Sequence, residues 1–105
     1  MARFDVYENT GASAKSTPFL LEVQSNLLDG LDSTVVVPLR RASGLRGVKV
    51  PARLMPAVKI SGRNYLLETP KLAAVPRRIL KTPVASLAGE QESVMNALDF
   101  LFQGY

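Results

Sequence analysis

An α+β domain, with a mostly antiparallel sheet and one C-terminal helix, is the fold class the sequence predicts. Three observations carry the prediction. Short apolar stretches, alternating with period two or running as β-branched blocks, recur between turn residues through most of the chain. Ser61-Gly62 separates two of them at hairpin distance. From about Leu87 the apolar period lengthens to that of a helix and runs almost to the last residue. At 105 residues the chain is expected to form one domain, residues 1–105. A charged share of 21% against 47% apolar argues for a folded core and against disorder.

Arg3 to Tyr7 alternates, with Phe4 and Val6 on one side and Arg3, Asp5 and Tyr7 on the other, as a half-buried strand does. Glu8 to Thr17 (ENTGASAKST) has no apolar period and is a loop. Phe19 to Gln24, opened by Pro18, reads as the second arm of a hairpin with a long connection. Ser25 to Ser33 is turn material with Leu27, Leu28 and Leu31 embedded in it, either a satellite core or an exposed contact patch. Thr34 to Leu39 (TVVVPL) is the strongest strand, its valine run pointing to cover on both faces. Pro38 cannot donate to a ladder and puts the end of that strand at an edge or bulge.

Arg40 to Pro51 (RRASGLRGVKVP) reads as a basic, glycine-containing excursion. Val58 and Ile60 alternate with Ala57 and Lys59, and Asn64 to Thr69 returns as the partner strand. Pro70 and Pro76 bracket a short loop, and Arg77 to Lys81, ended by Pro83, is one more strand candidate. In the closing helix Val94, Ala97, Leu98 and Leu101 share a stripe, Glu90 and Glu92 lie where acids favour the helix dipole, and Gly104 is placed to end it with a positive φ. Phe100 and Phe102 fall about 100° to either side of Leu101, so Phe100, Leu101 and Phe102 cannot all face one core.

Several function classes lose ground at once. Cysteine is absent, so there is no disulfide framework, thiolate nucleophile or cysteine metal site, and histidine is absent too. No phosphate-binding glycine loop, nucleophile elbow or paired-ligand spacing occurs. The expectation is a protein that is not an enzyme and takes no cofactor or metal. No apolar run reaches the roughly 18 residues of a membrane span, which makes a cytoplasmic location the expectation. Charge is uneven: residues 1–39 carry a net of −3, residues 40–81 a net of +10 and residues 82–105 a net of −3. Such a belt suits an acidic partner segment or a nucleic-acid backbone, and equally a solvated face.

With these segments in hand the sequence resembles the CcdB family of toxins. The likeness runs the full length: ARFDVY, FLLEVQSNLLD, TVVVPL, LMPAVKISG followed by LLET, AAVP, and the closing NALDFLFQGY. VQSNLLD and VVVPL, in this order and spacing, are its most specific parts. The resemblance implies an SH3-like antiparallel β-barrel with a C-terminal helix, assembled as a homodimer, and a non-enzymatic toxin of a type II toxin–antitoxin module. Such a toxin binds the A subunit of DNA gyrase, traps the cleaved-DNA complex, and is neutralised by a cognate antitoxin with a disordered tail. No membrane partner and no sequence-specific DNA binding of its own are implied.

Carried over by position, the gyrase-binding residues are Leu27, Leu28, Asp99, Phe102, Gln103, Gly104 and Tyr105. The antitoxin-binding residues taken from the basic belt are Arg40, Arg41, Arg46 and Lys49. The best-known member of the family has tryptophan where Gln103 stands, asparagine at Asp99 and isoleucine at Tyr105. Because aromatic anchors dominate interfaces, a lost tryptophan costs about 2 kcal/mol or more. Two alternatives stay open: an endoribonuclease toxin on a related barrel, and an inactive homologue that only binds an antitoxin.

Overall fold

The computed structural model describes residues 3–42 and 51–104; Arg46, Lys49 and Tyr105 lie outside them. Seven strands occur among the described residues: β1 (Asp5–Glu8), β2 (Phe19–Glu22), β3 (Ser33–Arg41), β4 (Ala57–Ile60), β5 (Arg63–Leu67), β6 (Ala73–Pro76) and β7 (Ala85–Ser86). One α-helix follows, α1 (Gln91–Gln103). The strands run β4-β5-β3-β2-β1-β7 with β6 also on β3, antiparallel at every pairing. The sheet curls into the nearly closed SH3-like barrel expected, with α1 packed against it.

The centre of this arrangement is β3, whose nine residues serve three neighbours. Along one flank it pairs with β2. Along the other it pairs with β6 over Ser33 to Val36, then with β5 over Leu39 to Arg41. Pro38 stands between these two partners, and its carbonyl accepts from the Glu68 N–H at 2.9 Å. In an antiparallel strand the N–H and C=O of a residue point to the same neighbour. The donor that Pro38 lacks is therefore missing where β6 has ended and β5 has not begun. The strand does not end there, as the proline alone suggests. It continues through Arg40 and Arg41, which belong to β3 and not to a basic excursion.

Other departures have local causes. Ala73–Pro76, a loop between two prolines by sequence, is strand β6, with Pro76 as its final residue opposite Ser33. Arg77–Ile79 is a 3-10 turn and not a strand. Ala85–Ser86 is too short to carry a period. The hairpin of β4 and β5 is as expected, and Ser61 and Gly62 both take positive φ, 52° and 80°, as a type I′ turn demands. Gly104, at φ 81°, caps α1 with its N–H on the Phe100 carbonyl at 2.9 Å.

Two clusters lie on opposite faces of the sheet. The larger holds Val6, Leu21, Val37, Leu39, Ile60 and Leu67, closed by Val94 and Ala97 of α1. The smaller gathers Tyr7, Leu20, Val36 and Leu80. Tyr7 thus does point away from Phe4 and Val6, yet it is fully buried instead of facing solvent. Its hydroxyl finds no hydrogen-bond partner among the described residues. Burial first, then the nearby Glu22 and Asp5 carboxylates, push it up to about 12.

The unfolded chain ionises this tyrosine near pH 10, whereas the folded one holds it neutral to higher pH. Its contribution to stability is therefore complete below pH 10 and is lost as the pH rises from there towards 12. Tyr7→Phe should abolish that alkaline slope, measured as urea midpoints between pH 9 and 11. It should leave neutral-pH stability unchanged or slightly higher, because the buried hydroxyl has no partner to lose.

Candidate functional site

The end of α1 is not core. Val94 and Ala97 are its buried residues, Leu98 still packs against the core and Leu101 is half-buried, and Phe102 to Gly104 are exposed. The Arg53 guanidinium lies 4.8 Å from the Phe100 ring centroid and covers it. Phe102 has no such cover and is 72% exposed. Asp99, Gln103 and Gly104 lie around it on the same end of the helix. Of the three side chains that could not share one core, Phe102 is the one that goes to solvent.

The second candidate patch is the loop after β2. Asn26–Leu28 form a 3-10 turn capped by the Ser25 hydroxyl, which accepts from the Leu27 N–H at 3.2 Å. The cap holds the turn out from the barrel, and Leu27 is 93% exposed, with Leu28 and Leu31 about half exposed. Of the two readings of these leucines, satellite core is excluded. At the far end Arg77 pins the loop: its Nε donates to the Leu31 carbonyl at 3.1 Å, and its backbone N–H to the Asp32 carbonyl at 2.8 Å.

Arg3 connects the two patches. Its backbone N–H donates to Asn26 Oδ1 at 2.7 Å, one residue before Leu27. Its Nη2 meets Met95 Sδ of α1 at 3.3 Å. Met95, Asp99 and Phe102 stand at i, i+4 and i+7, one stripe of the helix, with Phe102 about 10 Å along the axis from Met95. Arg3 thus bonds the residue before Leu27 at one end and, at the other, the start of the helix stripe on which Phe102 lies two turns further along. By sequence Arg3 is no more than an outward residue of the first strand, and no local pattern marks a residue whose partners lie 23 and 92 positions away.

The antitoxin candidates separate. Arg41 is tied to the loop before β2, donating through Nε to the Lys15 carbonyl at 3.0 Å. Arg40 lines a groove of about 510 Å³ between that loop and the turn after β5. Its Nε is buried without a partner among the described residues. Leu20, Pro38 and Ile79 supply an apolar floor, and Lys71 stands on the rim at 3.5 Å from the buried Glu68 carboxylate. Nothing in the sequence singles out Lys71, since its place in the groove depends on how β5 and β6 flank β3.

Among the described residues no group of three or more acidic, cysteine or histidine side chains is arranged to hold a metal. No helix among them is long and apolar enough to cross a membrane. The close Arg77–Glu22 pair, 2.9 Å apart, is nearly buried on both sides. What the surface offers is exposed apolar and aromatic side chains at the leucine turn and the end of α1, and a groove lined by Arg40, Lys71 and Glu68.

The family model described as "CcdB protein" matches residues 3–104, nearly the whole chain and both of these surfaces. The chain belongs to the CcdB family, the toxins of toxin–antitoxin systems.

Proposed function

We propose that this toxin acts without catalysis, by binding the A subunit of DNA gyrase and holding the enzyme in its cleaved-DNA state. The observation that carries the reading is the exposure of Leu27 in the loop after β2 and of Phe102 at the end of α1. Large apolar and aromatic side chains left this far in water gain free energy when a partner covers them. Asp99, Gln103, Gly104 and Tyr105 would complete the contact around Phe102. The chemistry is differential binding: a poison accumulates cleaved DNA only if it prefers that state of gyrase to the others. Assembly as a homodimer would present the patch twice.

Neutralisation is proposed to use the groove beside β3. An acidic antitoxin tail suits Arg40 and Lys71, with Arg41, Arg46 and Lys49 adding long-range attraction. Charges of this kind govern association rate and salt dependence more than final affinity. An endoribonuclease reading is less well supported, because Glu22 is buried against Arg77, and an arginine that stays charged at working pH gives up no proton.

The test is a supercoiled-plasmid assay with purified gyrase, ATP and this protein. Linear DNA accumulating after detergent and protease treatment is the expected result. Normal supercoiling with no cleaved complex at micromolar toxin would refute the gyrase reading and leave an antitoxin-binding homologue in its place.

A further inference from the structure

We infer that Arg3 is a positioning residue, tying the leucine loop to α1 at Met95 and so fixing where Leu27 stands relative to the helix. What Leu27 binds rests on the gyrase reading; the tie itself does not. Three groups converge on this side chain and its backbone. Nε donates to the Val23 carbonyl at 2.8 Å, just after β2 ends. Nη2 reaches the Met95 sulfur, and the backbone N–H holds Asn26. The guanidinium also stacks 4.9 Å from the Phe4 ring centroid. A planar fork can meet a carbonyl and a thioether at once; a lysine ammonium on its flexible stem cannot hold both in fixed geometry.

The backbone is bent to allow this. Phe4 has φ 72°, in the left-handed region that bulky residues rarely enter. The strain is retained because the ring is buried and the Phe4 N–H donates to the Glu22 carbonyl at 2.8 Å. A left-handed residue there takes the chain off the line of β1, and Arg3 comes to stand between loop and helix. The far end of the loop is held by Arg77, so Arg3 governs the end that carries Leu27.

The test uses Arg3→Lys and, as a milder second variant, Met95→Leu, which removes the sulfur and keeps the volume. In amide NMR spectra of the intact protein, Met95→Leu should shift the Leu27 and Leu28 resonances, although the substitution is on the helix. The same change made in the Arg3→Lys background should leave the loop resonances where Arg3→Lys put them. Binding to a gyrase A fragment should weaken about tenfold in Arg3→Lys through faster dissociation. Leu27→Ala should then cost less in that background than in the wild type. Loop resonances unmoved by both variants, or full additivity of Arg3→Lys with Leu27→Ala, would overturn the inference. If the wild type does not bind gyrase A at all, the target is wrong, and the NMR comparison alone decides the role of Arg3.

Discussion

Phe102→Ala is expected to weaken binding to the gyrase A fragment by at least about 2 kcal/mol, roughly 30-fold, while the thermal midpoint stays within about 3 °C of wild type. The two halves of this expectation have separate causes. At 72% exposure the ring contributes little to the barrel, and exposed substitutions of this kind usually fall within about 0.5 kcal/mol. Alanine is also the better helix former, which offsets part of any loss. In a complex the same ring passes from water into a protein pocket. Aromatic anchors at the centre of an interface carry a disproportionate share of its energy. With glutamine at position 103, Phe102 is the large aromatic side chain left exposed at the described end of α1, and under the gyrase proposal the binding energy would concentrate on it.

Three measurements separate the possible results. Surface-immobilised gyrase A fragment reports affinity, scanning calorimetry reports stability, and sedimentation equilibrium reports the assembly state. Lost affinity with intact stability and an unchanged assembly state supports the binding surface. A dimer that dissociates in the variant would assign Phe102 to the interface between copies, and the proposal for the terminus would fall. A thermal midpoint lowered by more than about 5 °C with binding retained would mean the ring packs against its own barrel.

The strand and helix pattern is legible wherever one short period governs the residues. Val58 and Ile60 against Ala57 and Lys59 can be read directly, as can the Ser61-Gly62 turn and the stop at Gly104. What cannot be read are features set by partners. Pro38 ends a strand by its own chemistry, and only the gap between β6 and β5 lets β3 run on. Tyr7 alternates outwards, and only the smaller cluster on the reverse of the sheet buries it. Of the candidate site, the leucines read equally as satellite core or exposed patch, and Phe100, Leu101 and Phe102 only as a set that cannot all be core; packing decides that Leu27 and Phe102 go to solvent. The tie between the leucine loop and α1 through Arg3 has no signal in the sequence, because it depends on a left-handed Phe4 and contacts across most of the chain.

Arg77→Ala is expected to be the most destabilising of these single changes, lowering stability by about 3–5 kcal/mol. Glu22 is 2% exposed, and its Oε2 receives both the Thr34 hydroxyl at 2.7 Å and Arg77 Nη1 at 2.9 Å. Deleting the arginine leaves a carboxylate in the barrel wall without its countercharge, and Oε1 already has no partner among the described residues. For a domain of this size such a loss moves the thermal midpoint by roughly 15 °C or more, a large part of the whole stability. The pair need not be a net gain over apolar packing. Replacing Glu22 and Arg77 with leucine and Thr34 with valine removes the charges and the orphaned hydroxyl together, and should recover most of the loss. The triple variant would still lack the Arg77 bond to the Leu31 carbonyl, so the leucine loop should exchange its amide hydrogens faster in a barrel of near wild-type stability. Recovery of stability together with weakened gyrase binding would show that Arg77 serves the loop as well as the core. Recovery of both would confine Arg77 to the core and leave Arg3 as the loop's functional tether.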